Sequence, residues 1–175
     1  MNHNRVGFIG VGVMGEPMCR NIAQHSGATV TAFDLNDEPL TRLASVGVIR
    51  AESIADVVQS ASIIFLSLPG GPELERVCRG DDGLLANTAT GQTIVDTSTA
   101  PVKLTRALAA PHQDTRDDNP DTPNARTRQA AEAGTLSIMV GASDEVYTRI
   151  EPFLRCCASD ITPVSYTHLT LPTKA

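Results

Sequence analysis

The sequence predicts an α/β fold in which helices wrap both faces of a doubly wound, mainly parallel sheet. Three observations predict it. A short apolar run, Arg5 to Ile9, breaks into Gly10-Val11-Gly12-Val13-Met14-Gly15 and continues as helix-like sequence. A second strand-like run, Ala28 to Phe33, ends in Asp34. Strand-like and helix-like segments then alternate as far as Thr99, the pattern of right-handed crossovers and not of a sandwich or bundle.

The glycine run carries a physical reading, residue by residue. Gly10 lets the strand turn tightly, Gly12 has no Cβ and so admits a pyrophosphate, and Gly15 lets the new helix pack closely on the strand. A helix opening at Met14 and running to His25 would aim unpaired N–H groups and the positive end of its dipole at the phosphates. Asp34 stands about 20 residues beyond the turn, where a ribose-binding acid belongs. Its carboxylate can accept from ribose hydroxyls and would repel a 2′-phosphate, which predicts NAD in preference to NADP. The cofactor contacts expected here are Gly10, Gly12, Val13, Met14, Gly15 and Asp34, and the sheet is then of the Rossmann type. The competing reading is a glycine-rich turn in an unrelated α/β protein, with Asp34 a solvated cap.

Composition narrows the partners. A chain of 175 residues predicts one domain with a sizeable core, and a second complete domain would be crowded. A net charge of −6 and a pI near 5.1 supply no field for nucleic acid or anionic lipid. Cys19, Cys78, Cys156 and Cys157 form no C-x-x-C motif, and His3, His25, His112 and His168 are scattered, so neither a disulfide scaffold nor a metal site is expected. No charged n-region precedes an apolar h-region, and no apolar run is long enough for a membrane span. A soluble, cytoplasmic protein with reduced thiols is the expectation.

Further along, Asn36-Asp37-Glu38-Pro39 reads as a capped helix start leading through Leu40 and Leu43 to Gly47. Val48-Ile49 is a short strand, and Ser53 can cap a helix carrying Ile54, Val57 and Val58. Ser62 to Leu68 is a continuous apolar run of the kind buried on both faces of a parallel sheet. Leu68-Pro69-Gly70-Gly71-Pro72 ends it, either as a loop covering the dinucleotide or as a plain turn. A helix-like piece from Glu73 to Arg79 leads to the strand Thr93 to Thr99, whose terminal hydroxyls face the crevice. Ser98 and Thr99 are therefore candidates for a substrate oxygen or carboxylate, while Thr99 can also cap a helix begun by Pro101. Arg126 and Arg128 are read either as holding a carboxylate or phosphate or as surface arginines at a helix start.

These motifs together resemble the β-hydroxyacid dehydrogenases, the family of 3-hydroxyisobutyrate dehydrogenase, tartronate semialdehyde reductase and the related 6-phosphogluconate dehydrogenases. Gly7 to Met18 looks like the family fingerprint, including its Met-Gly and Pro-Met pairs. Leu68-Pro69 looks like its cofactor-loop pair, and Asp96-Thr97-Ser98-Thr99 with Pro101 and Arg106 like its substrate segment. Asp121 to Arg126, followed by Gly134 to Gly141, is similar to its Asp-Ala-Pro-Val segment and the Gly-Thr-Leu strand. The resemblance spans roughly residues 5 to 164. It implies hydride transfer between a nicotinamide and a small β-hydroxy acid, with Ser98 and Asn124 binding substrate and Thr99 lying between substrate and nicotinamide. It also implies a following helical domain that supplies a general acid/base lysine and most contacts of a homo-oligomer. An imine reductase relative and a non-catalytic NAD-binding module remain alternatives.

The chain departs from the family in places. Its lysines are Lys103 and Lys174, and neither stands where the family's lysine would, so no catalytic residue is assigned. Residues 1–164 are expected to form the dinucleotide-binding domain of a truncated chain, and 165–175 read as a non-native tail. Pro111 to Pro120 lacks apolar residues other than proline, so it suits a loop where the family has a strand; a metal-binding acidic cluster is the sharper alternative. Glu73 stands where some members carry asparagine, and Asn124 replaces an apolar residue.

Overall fold

The computed structural model describes residues 4–80, 82–98, 124–125 and 127–163. The expectations for Thr99, Lys103, Arg106, 111–123, Arg126 and the 165–175 tail lie outside these residues.

Strands β1 (Arg5–Ile9), β2 (Thr29–Phe33), β3 (Ile49–Arg50), β4 (Ile63–Leu66) and β5 (Thr93–Asp96) form a wholly parallel sheet in the order β3-β2-β1-β4-β5. Its register sets Phe8 between Ala32 and Phe65. Because side chains alternate across a strand, β1 and β4 feed two cores. Val6, Phe8, Ile63 and Phe65 enter one with Met18, Ile22, Leu40 and Leu43, whereas Ile9, Ile64 and Leu66 enter the other with Val57, Val58 and Leu74. In the first core the rings of Phe8 and Phe65 stack with centroids 5.3 Å apart, worth about 0.5–1.5 kcal/mol beyond the area they bury.

The helices follow their caps. Helix α1 (Gly15–His25) opens directly from the glycine turn, with Met14 as its cap and not, as the sequence reading had it, its first residue. For α2 (Asp37–Ala44) the Asn36 side chain accepts from the Glu38 N–H, and for α3 (Ile54–Ser60) Ser53 accepts from Asp56. Helix α4 (Gly71–Cys78) begins two residues earlier than the sequence suggests, since Pro72 needs no N–H in a first turn. The short α5 (Leu84–Asn87) has no periodic signal that sequence reading could catch.

A second sheet holds β6 (Asn124–Ala125), β7 (Leu136–Val140) and β8 (Ala158–Pro163), with β6 antiparallel and β8 parallel to β7. The strand expected after Gly134 is thus β7, in a sheet of its own among the described residues. Helices α6 (Arg128–Glu132) and α7 (Asp144–Leu154) accompany it. Leu136, Ile138, Ile150 and Leu154 pack into the same core as Phe8 and Met18. Polar contacts reinforce the seam: Asn21 Nδ2 donates to the Ala131 carbonyl at 2.8 Å, the Cys157 thiol to the Met18 carbonyl at 3.4 Å, and Arg149 to Thr93 Oγ1 at 2.8 Å. Among the described residues no helix is long and apolar enough to cross a membrane.

Candidate dinucleotide site

The sheet order puts β1 beside β4, and their outgoing connections lead to opposite sides, β1 to β2 and β4 to β5. The crevice at the carboxyl ends of two such strands is where α/β sheets take ligands. Here it is walled by the glycine turn after β1 and by Ser67-Leu68-Pro69 after β4.

The three glycines have distinct geometries. Gly10 adopts φ +87°, and a Cβ there would lie 2.5 Å from the Ser67 carbonyl oxygen. A Cβ on Gly15 would collide with the Gly10 carbonyl oxygen. Gly12 is exposed, and a Cβ there would meet nothing within 4 Å. The first and third glycines are thus demanded by the protein's own packing, and the second leaves open space at the tip of α1. Met14 makes no side-chain cap hydrogen bond. Because the Glu16 N–H donates to the Gly12 carbonyl at 3.0 Å and Pro17 carries no N–H, the backbone donors that an anion could use here belong to the turn itself, from Gly12 to Gly15. Beside it Val13 is 62% exposed while Met14 packs against the core.

Asp34 closes the turn. Its Oδ2 accepts from the Val11 N–H at 2.7 Å and its Oδ1 from the Asn36 N–H at 2.8 Å. Each carboxylate oxygen keeps acceptor capacity for a further hydroxyl. Leu35, its neighbour, is 85% exposed.

The opposite wall is fixed by β5. The Ser67 N–H donates to the Ile9 carbonyl at 3.0 Å, and the Leu68 N–H to Ser98 Oγ at 3.0 Å. Ser98 in turn donates its N–H to Asp96 Oδ1 at 2.9 Å, and Thr97 Oγ1 donates to the Leu66 carbonyl at 2.7 Å. Pro69 is exposed at the rim. The structure therefore gathers Gly10, Gly12, Val13, Met14, Gly15, Asp34, Leu68, Pro69 and Ser98 along one edge of the sheet. Asn124 is not on that edge: it stands in the second sheet, in β6 opposite Ile138 of β7.

A family described as the NAD binding domain of 6-phosphogluconate dehydrogenase matches residues 5–166. The chain belongs to that family.

This NAD-binding domain is 38% identical over 157 residues to 2-(hydroxymethyl)glutarate dehydrogenase of Eubacterium barkeri, across 90% of the chain and 52% of that protein. It is 34% identical over 162 residues to 2-hydroxy-3-oxopropionate reductase of Escherichia coli, across 91% and 54%. The solved structure of Mycobacterium tuberculosis 3-hydroxyisobutyrate dehydrogenase with L-serine superposes at a TM-score of 0.83 and 28% identity, over 93% of this chain and 54% of that one. The chain spans about half the length of the curated relatives it matches.

Sequence reasoning missed one charged centre of the NAD-binding domain. Glu16, in the first turn of α1, is 6% exposed and meets Arg42 through both oxygens, at 2.8 and 2.9 Å, and Arg20 at 2.8 Å. The hydrogen bonds from Arg42 hold its carboxyl below the usual range against the opposing effect of burial. The spacing of Glu16 and Arg20 is a readable helix pair. Its partner on α2 is 26 residues away, and no local pattern announces it.

Proposed function

We propose that this chain is the dinucleotide-binding half of an NAD-dependent dehydrogenase acting on a short β-hydroxy acid, 3-hydroxyisobutyrate or 2-hydroxy-3-oxopropionate being the type. The observation that carries the reading is Asp34, whose two oxygens are fixed by backbone N–H groups beside an open glycine turn. In this reading the N–H groups of the glycine turn hold the pyrophosphate, Asp34 takes the ribose hydroxyls, and Leu68 and Pro69 cover the cofactor. The nicotinamide, when bound, supplies or accepts the hydride. Ser98 orients the substrate, because a hydroxyl whose oxygen accepts from Leu68 still has a hydrogen to donate. Thr99 and Asn124 complete the substrate contacts.

Residues 1–164 form the binding domain in this proposal, and 165–175 stand outside it. The proton of the substrate hydroxyl needs a positioned acid/base. Neither Lys103 nor Lys174 is assigned that task, so the chain by itself binds without turning over. The whole enzyme is proposed as a cytoplasmic homo-oligomer. The test is a fluorescence titration of the 175-residue protein with NADH and with NADPH, followed by an assay with NAD and 3-hydroxyisobutyrate. Saturable binding with NADH tighter than NADPH, and no turnover, is expected. Absence of NADH binding overturns the cofactor reading, and robust turnover overturns the assignment of the acid/base to another part of the enzyme.

A further inference from the structure

We infer that Glu16 is a positioning residue for Asp34, an inference that rests on the proposed role of Asp34 toward the ribose. The hydrogen bonds around the glycine turn close into a ring. Asp34 accepts from Val11 in the turn; the Glu16 N–H donates to the Gly12 carbonyl at 3.0 Å; the Glu16 carboxylate receives Arg42 of α2; α2 is capped by Asn36; and the Asn36 N–H returns to Asp34. Leu40 and Leu43 of α2 share a core with Val11 and Met18, but that packing is nondirectional, and it is the Glu16–Arg42 pair that adds a directional tie between α2 and the first turn of α1.

The pair also answers an electrostatic demand of the site. A carboxylate in the first turn suits the helix dipole, yet it opposes a pyrophosphate bound at the same tip. Glu16 is buried and matched by two guanidinium groups, 2.8 Å away in each case. Its charge is thereby neutralised locally while its two oxygens fix α2 in a bidentate geometry that only arginine provides. On the outer side Arg42 also lies 4.0 Å from Glu38, and Arg50 pairs with Asp37 at 3.0 Å. The cations around the Asp34 loop are therefore engaged by carboxylates, and the ring holds Asp34 against the turn where a 2′-phosphate would be refused.

The experiment is a double-mutant cycle read by NADH affinity, with wild type, Glu16→Gln, Asp34→Asn and the double variant, each checked by melting temperature. Glu16→Gln is expected to weaken NADH about fivefold, the scale of one hydrogen-bonded contact, and to narrow the NADH-to-NADPH preference. The double variant is expected to bind no more weakly than Asp34→Asn alone, because Glu16 acts only through Asp34. Arg42→Lys, which keeps the charge but loses the bidentate fork, is expected to weaken NADH likewise, and it serves as the readout if Glu16→Gln does not fold. Losses that simply multiply in the double variant, or wild-type affinity in Glu16→Gln, overturn the positioning role and leave the ribose reading intact. An Asp34→Asn variant with undiminished NADH affinity overturns the ribose reading itself, and the inference with it.

Discussion

The hydroxyl oxygen of Ser98 accepts the Leu68 N–H at 3.0 Å, tying the loop that follows β4 to the residue that follows β5. One side chain thus joins the connections that leave two neighbouring strands. Ser98→Ala is expected to leave the Leu68 N–H without that acceptor and to loosen the loop, for a stability cost of about 1 kcal/mol. NADH affinity should fall severalfold in the same variant. Chemical denaturation and NADH titration of the one protein check both, and unchanged NADH affinity would show that the loop does not cover the cofactor.

The glycines make a sharper comparison. Gly12→Ala places its methyl group in open space, so its melting temperature should match wild type while NADH binding is lost. Gly15→Ala must displace the Gly10 carbonyl, and Gly10→Ala must both hold φ +87° and clear the Ser67 carbonyl oxygen. Both should lose stability, by about 1 kcal/mol or more. Circular dichroism melts of the three variants separate the two kinds of glycine without reference to activity.

Acid should find Glu16. Its folded carboxyl titrates below the ordinary value of 4.5, held there chiefly by hydrogen bonds from Arg42 and also by the charges of Arg42, Arg20 and Arg128. A group depressed on folding stabilises the native state above its unfolded pKa, and that contribution is lost as pH falls through the folded value. Wild type should therefore exceed Glu16→Gln in stability at neutral pH, and the gap should close as pH drops below 4.5. Urea midpoints of the two proteins between neutral pH and pH 3 or so measure this.

The thiols should react in order of burial. Cys19, Cys78 and Cys157 are buried and Cys156 is half-buried, all four free. Burial pushes the Cys78 thiol up to about 12 and raises Cys19 and Cys157 further. Native protein should consume about one equivalent of a disulfide reagent, at Cys156, and release the others only on unfolding. Peptide mapping after brief labelling identifies the modified residue.

The first four βα units were legible because each carries its own punctuation. The glycine turn, the Asn36 and Ser53 caps and the unbroken apolar run into β4 are local signals, and the structure places each where its signal stands. Asp34 was equally legible, since its distance from the turn is set by one βαβ unit. The segment from Ser143 carries local signals as well: Ser143 caps α7 by accepting from the Val146 N–H, with acidic residues in the first turn and apolar ones at helical spacing behind them. Glu16–Arg42, Ser98–Leu68 and the separate second sheet were not legible. Each depends on partners brought together from distant parts of the chain, which patterns of 2 or 3.6 residues do not encode.

The buried contact between Asn21 and the Ala131 carbonyl has a meaning apart from its energy. The apolar seam between α1 and α6 would tolerate sliding, since hydrophobic contact is indifferent to small changes of alignment. An amide that must find one carbonyl is not. It acts as a ratchet tooth, fixing how far the second sheet's helix sits along the helix whose tip forms the crevice. A nonpolar residue of similar volume at position 21 could fill the same space yet would leave that alignment undecided.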